Sequence, residues 1–226
     1  TKVKYVPTTS QTRFTALTSG EADLLSRNST WTFSRDTDLK MDFAGVNYYD
    51  GQGFMVRKDS GITSAKELDG ASVFIQTGTT TEMNLADYFK ANNMTYQPIA
   101  VDSNAVGEQQ YLAGACDAYT TDASGLAATR AAYADPENHV ILPEIISKEP
   151  LGPAVRHGDN QWGDIVRWTL FALIAAEEYG ITSANIDELA KGTENPEINR
   201  ILGVDGDLGP MTGLEKDWAV KAIKAG

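Results

Sequence analysis

Three places in this 226-residue sequence carry side chains whose types and spacing could do chemistry: Arg35, the Thr79-Thr80 pair and Asp122. Arg35 ends the polar stretch Ser26 to Arg35, which includes Asn28, Ser29, Thr30 and Thr32. Its guanidinium is a planar fork that grips a carboxylate with two parallel hydrogen bonds. Thr79-Thr80 follows the β-rich run Ser72 to Gln76, and Thr79 with Glu82 three residues on reads as a capping box. A helix start offers unpaired N–H groups and partial positive charge, which favour an anion. Asp122 closes GACDAYTTD after a predicted strand and favours a cation. Together the three suit a zwitterion: an α-carboxylate on Arg35 and the helix end, an α-ammonium on Asp122. Each has a plainer reading: a surface arginine in a polar loop, a cap and nothing more, and an N-cap for the helix after Asp122.

These residues sit where strands are expected to end. Strands are predicted at Val3–Val6, Leu24–Leu25, 46–50, 53–57, 72–76, 97–101, 117–120, 140–142 and 152–156. Helices are predicted at 10–19, 64–68, from Thr79 through Leu85 and Phe89, 105–113, 124–133, 162–179, 183–191, 196–202 and 214–224. Strands alternating with helices up to residue 156 indicate parallel α/β sheets, whose ligands lie beyond the strands' carboxyl ends. Gly51-Gln52-Gly53 and the return at Gly152 to Arg156 read as two crossovers between lobes. The expected division is therefore residues 1–52 and 149–226 in lobe one, and 53–148 in lobe two.

Nineteen Lys+Arg against 31 Asp+Glu give a net charge of −12, which disfavours nucleic acid and anionic membranes as partners. Cys116 is the single cysteine, and the two histidines, His139 and His157, lack metal-ligand spacing, so no metal site and no cofactor are expected. The longest apolar run, Ile165 to Ala176, is broken by Arg167 and is too short to span a bilayer. No signal peptide opens the sequence, which fits a cytoplasmic or a mature exported chain.

The ordered motifs SRNSTWTFSR, DFAGVNYYDGQGFMVRK, QTGTTTEMNLADYF and GACDAYTTDASGLA closely resemble the periplasmic amino-acid-binding proteins of ABC transporters, nearest the general L-amino-acid branch. The resemblance implies an α/β, two-lobed type II periplasmic binding protein, each lobe a sheet flanked by helices, that closes on its ligand and delivers it to a membrane permease. By position it implies that Arg35 clamps the ligand carboxylate, assisted by Thr30. It implies likewise that Thr80 contacts the carboxylate from lobe two, Asp122 pairs with the ammonium, and Asn28 supplies an acceptor for it. Gln76 and the Thr9-Ser10 turn fall where the family shapes the side-chain pocket. Family members begin with a further strand–loop–helix unit and tend to extend past the C-terminus, so an incomplete lobe one is expected, together with self-association through it. A periplasmic setting is implied, and no catalysis. The alternatives are a dehydratase-like enzyme on this scaffold, for which no spare acid is evident, and a sensory module.

Overall fold

The computed structural model describes residues 2–226. Its largest sheet has five strands in the order β5-β4-β6-β3-β7: β3 (Gln52–Arg57), β4 (Ser72–Gln76), β5 (Gln97–Val101), β6 (Ala118–Asp122) and β7 (His139–Ile141). Three smaller strands precede or follow it, namely β1 (Met41–Phe43), β2 (Tyr48–Asp50) and β8 (Glu149–Leu151), and β9 (Ala154–Arg156) completes the set. The sheet is mixed, which corrects the all-parallel expectation. β4 runs parallel to β5 and β6, whereas β3 pairs antiparallel with both β6 and β7. β3 enters from the other lobe and β7 leads back towards it, so neither is joined to its neighbour by a crossover helix that would impose parallel pairing.

Both faces of this sheet are covered, and the strand sequences show why. Phe54 and Val56, Val73 and Ile75, and Ala118 point to one face with Leu85 and Phe89. Met55, Phe74 and Tyr119 point to the other, against Tyr111 and Leu126. Alternate residues of a strand face opposite sides, so unbroken apolar runs mark strands buried on both. The covering helices are α3 (Thr80–Ala91), α4 (Asn104–Leu112) and α5 (Ala123–Ala132). Gly107 lets α4 sit directly on β4, because a Cβ there would lie 1.9 Å from the Phe74 ring.

The other lobe is built from α1 (Thr12–Thr18), α2 (Phe33–Thr37), the β1–β9 pair and α6 (Asn160–Glu178), followed by α7 (Ile186–Leu189), α8 (Pro196–Ile201), α9 (Leu208–Met211) and α10 (Trp218–Ala225). Leu17, Leu25, Met41, Phe43 and Ala154 form its inner core, and Ala176, Ile181, Ile186, Leu202 and Ile223 a second one among the C-terminal helices. The expected strand at Val3–Val6 does not form. The segment has no strand partner among the described residues, with Val3 75% and Tyr5 87% exposed. The Leu24–Leu25 strand shrinks to one bridge, Leu25 exchanging both backbone bonds with Ala154 at 2.9 and 3.0 Å. Alternating apolar residues need a neighbouring ladder to become a strand, and here none lies alongside. The helix expected over 183–191 is four residues long, and the last helix begins at Trp218 rather than Leu214.

The two lobes meet through β2 and β8, which pair antiparallel with Tyr49 opposite Pro150. Polar contacts then cross the cleft beside them. Gln11 at the start of α1 donates to Thr77 at 2.9 Å, and Asn28 donates to Asp122 at 3.0 Å.

Candidate ligand-binding site

The lobe-one wall begins with Thr32, whose hydroxyl accepts from the Arg35 backbone N–H at 3.2 Å and so caps α2. That short helix, read from sequence as a polar loop, turns the Arg35 side chain inward, where it is only 7% exposed. Its Nη1 donates to the Thr30 carbonyl at 2.9 Å, and its guanidinium carbon lies 4.7 Å from the centre of the Phe14 ring. A guanidinium has five N–H donors. Among the described residues no carboxylate oxygen lies within 4.0 Å of Arg35. Burial pulls its pKa down, and Glu149 and Asp122 pull against that.

The lobe-two wall is made by the carboxyl end of β6 and the start of α3. Asp122 holds the N-cap position of α5, yet its carboxylate makes no cap bond and instead receives the Asn28 amide. Burial raises its pKa, Asp50 and Glu149 add to the rise, and the Asn28 hydrogen bond and Arg13 oppose it. The Asn28 amide nitrogen thus faces Asp122, and the expected acceptor role would fall to its oxygen.

The capping box does not form as expected. The Thr79 hydroxyl donates backwards to the Gln76 carbonyl at 2.7 Å, and Glu82 receives the Gly78 N–H at 3.4 Å. α3 does start at Thr80, but Thr79 caps it with backbone alone. The Gln76 amide donates to the Asp102 carbonyl, on the loop after β5. Ser10 is buried and receives an Arg27 N–H at 3.4 Å, whereas Thr9 is exposed and bonds Thr12.

Thr30 and Thr80 come together from opposite lobes, 3.4 Å apart. They meet at a group missed in the sequence: Glu149, 2% exposed, accepts from both hydroxyls, from Asn84 at 2.7 Å and from Ser147 at 2.6 Å. All four partners donate to it, so its role here is that of an acceptor tying the lobes together. In sequence it is one acid before Pro150, with no spacing to mark it.

Arg13 was missed as well. It is 3% exposed, bonds the Asn28 carbonyl through Nη1 at 3.2 Å, and stands 4.7 Å from the Phe14 ring, as Arg35 does. Burial, with Arg35 and Arg27 nearby, brings its pKa down to about 9. An arginine beside the apolar Phe14–Leu17 face reads from sequence as a solvent-facing helix residue, so no signal distinguished it.

The geometry therefore offers buried cationic forks on one wall, and a buried carboxylate and a helix start on the other. Among the described residues no cluster of three His, Cys, Asp or Glu could hold a metal ion, and no helix is long and apolar enough to cross a membrane.

The model of the bacterial extracellular solute-binding proteins, family 3, matches residues 1–185. The chain is 68% identical over 224 residues to a glutamate/glutamine/aspartate/asparagine-binding protein of Rhodobacter capsulatus, covering 99% of this chain and 66% of that one. It is 58% identical over 226 residues to a general L-amino acid-binding periplasmic protein of Rhizobium johnstonii, with 99% and 66% covered. The chain thus spans 66% of the length of these curated relatives. Among solved structures, a periplasmic binding protein from Brucella ovis with glutathione bound superposes with a TM-score of 0.94 at 57% identity, covering 99% of this chain and 71% of that one.

Proposed function

Since the chain belongs to the bacterial extracellular solute-binding proteins of family 3 and has their type II fold, we propose that it binds L-amino acids between its lobes and delivers them to an ABC permease. The working setting in this reading is the periplasm, and no reaction is catalysed. The division of labour is that expected from the motifs. Arg35 takes the α-carboxylate with help from the α3 start, and Asp122 takes the α-ammonium.

One observation carries the reading: among the described residues, Arg35 is buried with no carboxylate oxygen within 4.0 Å, and Asp122 is buried in the opposite wall with no cation within that distance. Burying unpaired charges is costly, so such a pair is kept where a ligand supplies both partners. The enzyme alternative has an acid in Glu149, but four donors already occupy it, which leaves it poorly placed for proton transfer.

The test is a thermal-shift screen of the chain against the twenty L-amino acids, since a ligand held only by the folded state raises Tm. Shifts with L- but not D-amino acids are expected, and none with any amino acid would end the reading. A second reading is a γ-glutamyl peptide, which keeps a free α-carboxylate and α-ammonium. It is favoured by the glutathione bound to the Brucella ovis protein, so glutathione belongs in the screen.

A further inference from the structure

Gln52 is the first residue of β3, where the chain enters the five-stranded sheet, and it is 0% exposed. It lies directly opposite Asp122 in the antiparallel β3–β6 register, so the two side chains share one face of the sheet. Its amide nitrogen donates to the Thr120 hydroxyl at 3.0 Å and to the Thr81 carbonyl at 3.2 Å. Thr120 stands two residues before Asp122 on β6, and Thr81 follows Thr80 in the first turn of α3. One amide thus joins the strand that ends in Asp122 to the helix start that carries Thr80. The backbone is committed too: the Gln52 N–H donates to the Ser147 hydroxyl at 3.2 Å, and its carbonyl accepts from Ile146 at 2.9 Å.

Neither side-chain acceptor depends on Gln52 for a partner. The Thr81 carbonyl belongs to the hydrogen-bonded ladder of α3, and the Thr120 hydroxyl donates to the Gly53 carbonyl at 2.7 Å. The Gln52 Oε1, meanwhile, is buried without a hydrogen-bond partner among the described residues. A buried unpaired acceptor is costly, and an apolar side chain of the same length would avoid that cost. What the amide supplies in return is a fixed distance between α3 and the end of β6.

Resting on the amino-acid-receptor reading, we infer that Gln52 is a positioning residue, which sets the spacing between the carboxylate subsite at the α3 start and the ammonium subsite at Asp122. It acts through Thr81 and Thr120, not by touching the ligand. The spacing it sets suits α-amino acids, whose two charged groups share one carbon. In β-amino acids a further methylene separates those groups, and a rigid pair of subsites rejects them.

The experiment is calorimetric titration of the chain and of its Gln52→Met variant with L-glutamine and L-β-homoglutamine, after circular dichroism confirms folding. Glutamine has a single carboxylate, so this pair differs only in the spacing of the α-groups. The unaltered chain is expected to bind glutamine at least about a hundredfold more tightly than the β-homologue. In Gln52→Met that ratio falls by about tenfold or more, the scale of one hydrogen bond to a charged group. If both ligands weaken alike, or the ratio is unchanged, Gln52 is only structural and the inference falls. Should Gln52→Met not fold, Thr120→Val removes one of the amide's two anchors and must lower the ratio in the same direction; an unchanged ratio there overturns the inference. An unaltered chain that binds glutamine no tighter than its β-homologue, or not at all, also overturns it. Only if none of the twenty L-amino acids binds does the receptor reading fall as well, which is a separate failure.

Discussion

At the scale of single residues, the site rests on charges kept dry. Asp122 has a folded pKa above its unfolded one because burial penalises its charge. Such a carboxyl stabilises the fold in its protonated form, below the ordinary aspartate range, and that contribution is lost as pH rises through the raised value. At neutral pH the ligand-free fold therefore carries a strained Asp122. Asp122→Asn keeps an oxygen for the Asn28 amide and should raise the ligand-free stability by about 0.5–2 kcal/mol while removing amino-acid binding, read as a higher Tm with no ligand shift. The unaltered protein should lose affinity as pH falls through the same value, because the proton competes with the ammonium. Arg35→Lys keeps the charge and loses the fork, and about 1.5–3 kcal/mol, or ten- to a hundredfold in affinity, should go with it in calorimetry. Thr79 and Thr80 separate differently from the capping-box expectation. Thr79 donates to Gln76 and not to the helix, so Thr79→Ala should cost only about 0.5–1.5 kcal/mol of a neutral hydrogen bond in urea unfolding.

At the scale of elements, Glu149 is the joint between them. It sits at the start of β8 and gathers Thr30 from lobe one with Thr80 and Asn84 of α3. Glu149→Gln turns one acceptor into an amide facing donors, a loss of about 1–3 kcal/mol. The lobes should also part more often, seen as a larger radius of gyration in small-angle scattering. An unchanged radius and unchanged stability would show that the joint is held by β2 and β8 alone. The elements of the sheet-containing lobe were legible because runs such as Val73–Ile75 and Ala118–Tyr119 are apolar on both sides. Arg35 and Asp122 stood out in the sequence as charged residues closing polar motifs at expected strand ends; Asp122 does end β6, whereas Arg35 lies on α2. Glu149 and Arg13 did not stand out, since each gains its meaning from a partner on another element: Thr30 and Thr80 for one, Asn28 and Phe14 for the other. Val3–Val6 was misread for the complementary reason, because its alternation was visible and the absence of a neighbour beside it was not.

At the scale of the molecule, two lobes are joined by a two-stranded pair, and the excess of acidic residues leaves the buried arginines as local exceptions. Lobe one also presents apolar surface away from the cleft. Trp168 is 54% exposed, and with Ile165, Leu208, Met211, Leu214 and Trp218 it lines a groove of about 260 Å³. Large exposed apolar patches favour association, so light scattering should show a mass that rises with protein concentration, and a constant monomer would contradict this. None of that bears on the central claim, that the cleft recognises the α-carboxylate and α-ammonium of one amino acid together. The most direct measurement is calorimetric titration of the chain with L-glutamate, its N-acetyl derivative and its α-methyl ester. The account predicts binding of free glutamate and loss of measurable binding when either α-group is blocked; binding of the blocked compounds as tight as that of glutamate would contradict it.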